Sequence, residues 1–167
     1  MIAIGEIARR SYFLIFNNGG SYMKLDTARF GELEVREEDV VQFSAGIPGF
    51  EQSHQFVLIA NEDHSPLAYL QSVDDGELAF IVVDPFEFFP NYEFELPELA
   101  MKELQMESAD QIIVRTIVSV TGELEHATAN LVAPIVMNKS SRSGKQVVLS
   151  QTNYTTKHRL LAPDATK

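Results

Sequence analysis

Residues Leu67–Pro90, LAYLQSVDDGELAFIVVDPFEFFP, constrain the fold more than any other stretch. Two apolar runs, Leu67–Val73 and Leu78–Val83, flank Asp74-Asp75-Gly76-Glu77. Asp and Gly at such a junction permit the positive φ values of tight hairpin turns. Ala79–Val83 is apolar at every position. That is the pattern of a strand covered on both faces, hence central in its sheet, and the run is too short for a helix. Asp84-Pro85 stops the strand, and Phe86, Phe88 and Phe89 crowd the proline-bounded segment that follows. Three aromatics in a loop need a destination: they plug one end of the core, or part of them stays exposed as a partner site.

The remaining pattern is also β. From Met23, Leu25, Thr27 and Arg29 alternate with Asp26, Ala28 and Phe30; after Gly31, Leu33 and Val35 alternate with Glu32 and Glu34. This predicts a hairpin with one half-buried face. Val40–Phe43 and Phe56–Ile59 read as strands, separated by a loop that Gly46, Pro48 and Gly49 punctuate. Ile47 and Phe50 are expected to fold back from this loop onto the core. Glu95–Met106 is the one helix expected. Pro97 suits its first turn, and Leu96, Leu99, Ala100 and Leu104 recur at helical spacing. Ile112–Val120 is a long β-branched strand. Ala129–Asn138 is strand-like with Pro134 inside, which places it at a sheet edge or at a bulge. Asn130 and Asn138 bracket it and are expected to bond backbone groups that the proline leaves unpaired. Gln146–Leu149 is the last strand. Strands this short, with hairpin-length turns, predict a mostly β fold: a small antiparallel barrel-like domain, as a closed sheet or a sandwich.

A chain of 167 residues without cysteine needs no disulfide, and thiolate metal sites are excluded. One domain is expected over residues 23–155, with a flexible tail over 156–167. Residues 1–22 fit poorly: they lack the order of a signal peptide. Gly19-Gly20 reads as a translated purine-rich ribosome-binding site ahead of a true start at Met23, which makes 1–22 a non-native extension. Charge is uneven. Glu32–Asp110 holds 19 acidic residues against Arg36 and Lys102, whereas Gln111–Lys167 holds seven basic against three acidic. Such acidity opposes phosphate contacts, so no direct nucleic-acid binding is expected; it suits a basic protein partner.

Chemistry is hard to find. There is no phosphate-binding glycine loop and no nucleophile elbow. His54, His64, His126 and His158 are scattered without ligand spacing. Asp74, Asp75 and Glu77 could hold a divalent cation, but three acids in a turn read more simply as a solvated hairpin tip. No catalytic residues, metal or cofactor are expected.

Six segments taken in order carry a resemblance: RFGE from Arg29, GIPGFE from Gly46, LQSVD from Leu70, AFIVVDPF from Ala79, ANLVAPIVMN from Ala129 and GKQVVL from Gly144. Together they resemble the flagellar assembly factor FliW family, over about Met23 to Leu160. The resemblance implies a compact β-barrel-like fold and a non-enzymatic cytoplasmic regulator. It implies two partners, the RNA-binding translational repressor CsrA and flagellin, with neither membrane nor small-molecule substrate. Binding would relieve repression of flagellin mRNA, and accumulating flagellin would reverse it. On this reading Asp74, Asp75 and Glu77 contact basic repressor residues, while Phe86, Phe88 and Phe89 supply an apolar anchor. Gly46, Pro48, Gly49, Asn130, Pro134 and Asn138 are structural motif positions. Two alternatives make separate demands. A small-molecule-binding barrel needs a closed apolar pocket; a metal-assisted hydrolase needs converging carboxylates or histidines.

Overall fold

The structure is a computed structural model that describes residues 2–4, 20–60 and 65–161. Within them lie thirteen strands: β1 (Ile2–Ile4), β2 (Tyr22–Thr27), β3 (Gly31–Arg36), β4 (Val41–Gln42), β5 (Gln55–Ala60), β6 (Leu67–Ser72), β7 (Ala79–Val83), β8 (Phe94–Leu96), β9 (Ile112–Ser119), β10 (Thr128–Ala129), β11 (Ile135–Asn138), β12 (Gly144–Gln146) and β13 (His158–Arg159). There are two short helices, α1 (Pro85–Phe88) and α2 (Glu98–Glu103).

The main sheet runs β12-β11-β9-β7-β6-β5-β4, with β10 and β13 beside β9. β7 stands at its centre, as its unbroken apolar run requires. Val82 packs on one face with Leu70 and Ile135, Val83 on the other with Val118 and Ala127. The sheet curls until its edges meet. Gln42 of β4 bridges Ser143 just before β12, and Gln42 N donates to Arg142 O at 2.8 Å. A single bridge is not a ladder, so this is a curled sheet and not a closed barrel. Its concave face is filled by Val41 of β4, Phe56 of β5, Leu70 of β6, Val82 of β7 and both Ile135 and Met137 of β11. That interior is packed with side chains.

Three coverings seal the convex face. The β2–β3 ribbon lays Leu25 and Val35 on Val57 of β5. Residues 86–106 lay Tyr92, Leu96 and Leu104 on Ile112, Val114 and Val136. Phe88 and Leu160 cover Val83 and Val118. β9 serves both sides: Ile112, Val114, Thr116 and Val118 are buried beneath these coverings, while Ile113 and Ile117 face the inner core.

Several expectations are corrected. The helix begins at Glu98, because Glu95 and Leu96 belong to β8, which pairs with β1. Leu96, Ala100 and Leu104 are buried as the spacing predicts, but Leu99 is 67% exposed. The aromatic segment is not a loop: Asp84 caps α1 by accepting from Phe86 N at 2.9 Å, and Pro85 starts the helix. Phe50 stays 43% exposed, lying edge-on to Phe80 while its neighbour Ile47 is buried. The Pro134 strand is broken. Ala129 faces Val118 and Ile135 faces Arg115, so six steps along one strand oppose three along β9. The three extra residues form the bulge that proline demands. Near the end of the described residues the chain returns to the domain. β13 pairs with β10, Leu160 N donates to Ala127 O, and Tyr154 meets Tyr92 edge-on. Apart from β1 and residues 20–22, the proposed extension lies outside the described residues, as do 162–167.

Candidate protein-binding surface

The hairpin tip is built from within. Gln71, fully buried at the end of β6, turns its amide into the turn; Nε2 lies 3.0 Å from both Ser72 O and Leu78 O. Ser72 Oγ accepts from Asp75 N, and Asp75 Oδ1 accepts from Glu77 N, each at 3.0 Å. Asp74 reaches across to β5, where its carboxylate accepts from His54 N at 2.7 Å and Gln55 N at 2.9 Å. Asp74, Asp75 and Glu77 are all exposed, but the Asp74 carboxylate is spent on two backbone bonds to the neighbouring strand.

Gly76 has a reason other than the one its sequence context gave. Its φ is not positive. It is glycine because the tip presses on the β2–β3 ribbon: a Cβ there would sit 2.0 Å from Asp26 O. Ala28 N donates to Gly76 O at 3.0 Å across the same contact. The ribbon thereby brings its own acids beside the tip. On its outer face Asp26 stands directly opposite Glu32, and Lys24 opposite Glu34. Like charges directly opposite destabilise a ribbon; Lys24, 3.5 Å from Glu32, offsets this in part. The result is an exposed face bearing Asp26, Glu32, Glu34, Asp75 and Glu77. Sequence alternation marked the ribbon carboxylates as outward-facing, but only the Gly76 contact joins them to the tip. Below this face Arg36 is held by Asp39 at 3.0 Å and Glu38 at 3.0 Å, which raise the affinity of its guanidinium for its proton.

The aromatic group lies elsewhere. α1 leaves the far end of β7, and a five-residue strand is about 17 Å long, so one strand length separates Phe86–Phe89 from the tip. Phe86 is 7% exposed against Tyr92, so it belongs to the core and offers no surface to a partner. Phe88 and Phe89 are half-buried, Phe89 edge-on to His158. Beneath α1 burial lowers the proton affinity of the Arg115 guanidinium, and Asp84 and Glu87 partly offset this. The motif residues serve the fold. Gly46 at φ +68 turns tightly over Glu51, whose carboxylate accepts from Gly49 N at 2.9 Å, with Pro48 exposed between. Asn130 Oδ1 accepts from Ala133 N inside the Pro134 bulge, as expected. Asn138 acts differently: Nδ2 donates to Leu104 O at 2.8 Å, fastening the end of α2, while Oδ1 accepts from Ser140 N.

Among the described residues no three His, Cys, Asp or Glu side chains are grouped to hold a metal, and no helix is long and apolar enough to cross a membrane. A curled sheet filled with side chains, carrying an acidic ribbon and hairpin tip on its surface, defines a small β domain. Comparison with known proteins makes the class particular. A family model described as FliW protein matches residues 24–160. The flagellar assembly factor FliW of Geobacillus kaustophilus (strain HTA426) is 43% identical over 145 residues, 87% of this chain and 100% of the relative. That of Bacillus subtilis (strain 168) is 43% identical over 136 residues, 81% of this chain and 95% of the relative. A crystal structure of the flagellar assembly factor FliW superposes with a TM-score of 0.81 at 42% identity, covering 85% of this chain and 99% of the other. The chain belongs to the FliW family: it is a flagellar assembly factor and not an enzyme.

Proposed function

We propose that this assembly factor works in the cytoplasm as a post-transcriptional regulator. It binds the repressor CsrA, relieves repression of flagellin mRNA, and exchanges the repressor for flagellin as flagellin accumulates. Family membership supports the flagellar role. The observation that carries the choice of a basic partner is the face formed by Asp26, Glu32, Glu34, Asp75 and Glu77, which the Gly76 contact assembles. Carboxylates gathered on one exposed surface attract and orient an RNA-binding protein, whose own surface must be basic to hold phosphates. Asp74 contributes by fixing the tip. Phe88 and Phe89 offer a separate apolar contact at the other end of β7.

A mobility-shift titration tests the exchange. Purified protein added to a complex of repressor with flagellin leader RNA should release the RNA, and flagellin added next should restore the complex. A complex that persists at a large excess of the protein would rule the reading out.

A further inference from the structure

β8 is a short strand outside the main sheet. Phe94 and Leu96 are buried in the core, and Glu95 between them is exposed. Among the described residues the backbone of β8 pairs with one strand, β1. The register sets Ile2 opposite Leu96, Ala3 opposite Glu95 and Ile4 opposite Phe94. The seated segment thus repeats the alternation of the strand that receives it. Apolar residues stand at the two positions where β8 is buried, and a small residue stands opposite the exposed carboxylate. Pro97 follows without an N–H to donate, and the ladder ends at Leu96.

This pairing is a two-stranded sheet of three residues a side. Two-stranded sheets are marginal on their own, so β1 is held weakly enough to be exchanged. β8 has other anchors: the ring of Tyr92 lies 5.6 Å from that of Phe94, and Leu96 packs in the same core cluster as Ala100 and Ile112. The region shared with the family, residues 24–160, begins after β1. Within that region β8 is a preformed strand with no strand partner among the described residues. Such an edge is a template for another chain. Main-chain bonds supply affinity there, and alternate side chains supply specificity. Glu95 sets a preference, because opposite charges directly across a strand pair stabilise it. A Lys or Arg in the place of Ala3 is the better match to that carboxylate.

We propose that the edge of β8 is a strand-acceptor site. β1 occupies it in cis, and an extended segment of a partner protein, apolar–basic–apolar in sequence, displaces β1 and pairs there antiparallel. None of the carboxylates of the acidic face takes part, so this site stands or falls without that face.

The probe is a labelled, end-capped peptide with the sequence Thr-Ile-Lys-Ile-Thr. Its control is the same peptide N-methylated at Ile, Lys and Ile, which removes the ladder donors and keeps the side chains. In the unmodified chain, saturating peptide should speed amide exchange at Ile2–Ile4 and leave Phe94–Leu96 protected. Ile2→Asp/Ile4→Asp, which disfavours β1, should bind the peptide about tenfold more tightly than the wild type, because the wild-type edge is largely occupied. Adding Glu95→Lys to that variant should weaken binding about fivefold, whereas adding Glu123→Lys, in an exposed loop away from β8, should leave it unchanged. Three results would each overturn the proposal: equal binding of the N-methylated peptide, Ile2–Ile4 amides that stay protected with peptide bound, or a β1 variant that binds no more tightly than the wild type. The exchange measurement needs no substitution, so a variant that folds poorly does not blunt the test.

Discussion

Substituting Gly76 by alanine tests how the acidic face is put together. Backbone torsion does not forbid alanine, since φ at Gly76 is not in the left-handed region. The effect therefore comes from contact. A Cβ would lie 2.0 Å from Asp26 O, and carbon–oxygen contacts settle near about 3.3 Å, so ribbon and tip must part by about 1.3 Å. The 3.0 Å bond from Ala28 N to Gly76 O cannot survive that shift. Losing it costs about 1 kcal/mol, and local overpacking costs about 1–3 kcal/mol more. We expect Gly76→Ala to lose about 2–4 kcal/mol in urea unfolding, with the Ala28 amide exchanging faster. Gly31→Ala is the control. Gly31 has φ +68 with nothing within 4 Å of an added Cβ, so only the conformational penalty of about 1 kcal/mol applies. A Gly76→Ala protein as stable as Gly31→Ala, with its Ala28 amide still protected, would refute the close approach of tip and ribbon.

Other expectations concern single side chains. Asn138→Ala should cost about 2–3 kcal/mol, because it strips a buried anchor from the end of α2 and from the turn after β11; a urea midpoint within experimental error of wild type would contradict it. Phe86→Ala should cost about 3–4 kcal/mol by emptying core volume against Tyr92, so any loss of partner binding it causes should track unfolding, as a melting curve taken alongside would show. Tyr92 donates to Leu131 O at 2.8 Å, and burial raises the affinity of its phenol for its proton. The unfolded chain therefore ionises first. The stabilising contribution is complete below pH ~10 and should fall by about 1.4 kcal/mol per pH unit above it. In absorbance titration one tyrosine should ionise only as the chain unfolds, and Tyr92→Phe should abolish that coupled step.

Legibility in the sequence followed locality. The uninterrupted apolar run at Ala79–Val83 identified the central strand, because burial on both faces removes alternation. Pro134 announced a break, since a missing N–H must disturb any ladder. Leu99 deceived: its spacing matched Leu96, but Leu96 lies in β8, so the apparent helical face joined two elements of different period. The last described residues looked polar, yet Tyr154 and Leu160 pack, half-buried, on distant residues that no local pattern identifies. The site was half visible. Asp75 and Glu77 could be read as an exposed tip, whereas their meeting with Asp26, Glu32 and Glu34 depends on packing between segments some fifty residues apart. Phe86 was read as an anchor because three aromatics looked alike, although cap geometry turns that one inward.

The association rate of purified CsrA with this protein, followed by stopped flow as salt rises from about 0.05 M to 0.5 M, bears most directly on the acidic face. Screening shortens the reach of exposed charge across that range, so the on-rate should fall at least tenfold while the off-rate changes little. Glu32→Lys/Glu77→Lys should start slow and show almost no salt dependence. An on-rate indifferent to salt in both proteins, or equal for the two at low salt, would mean that the ribbon and tip do not recruit the repressor.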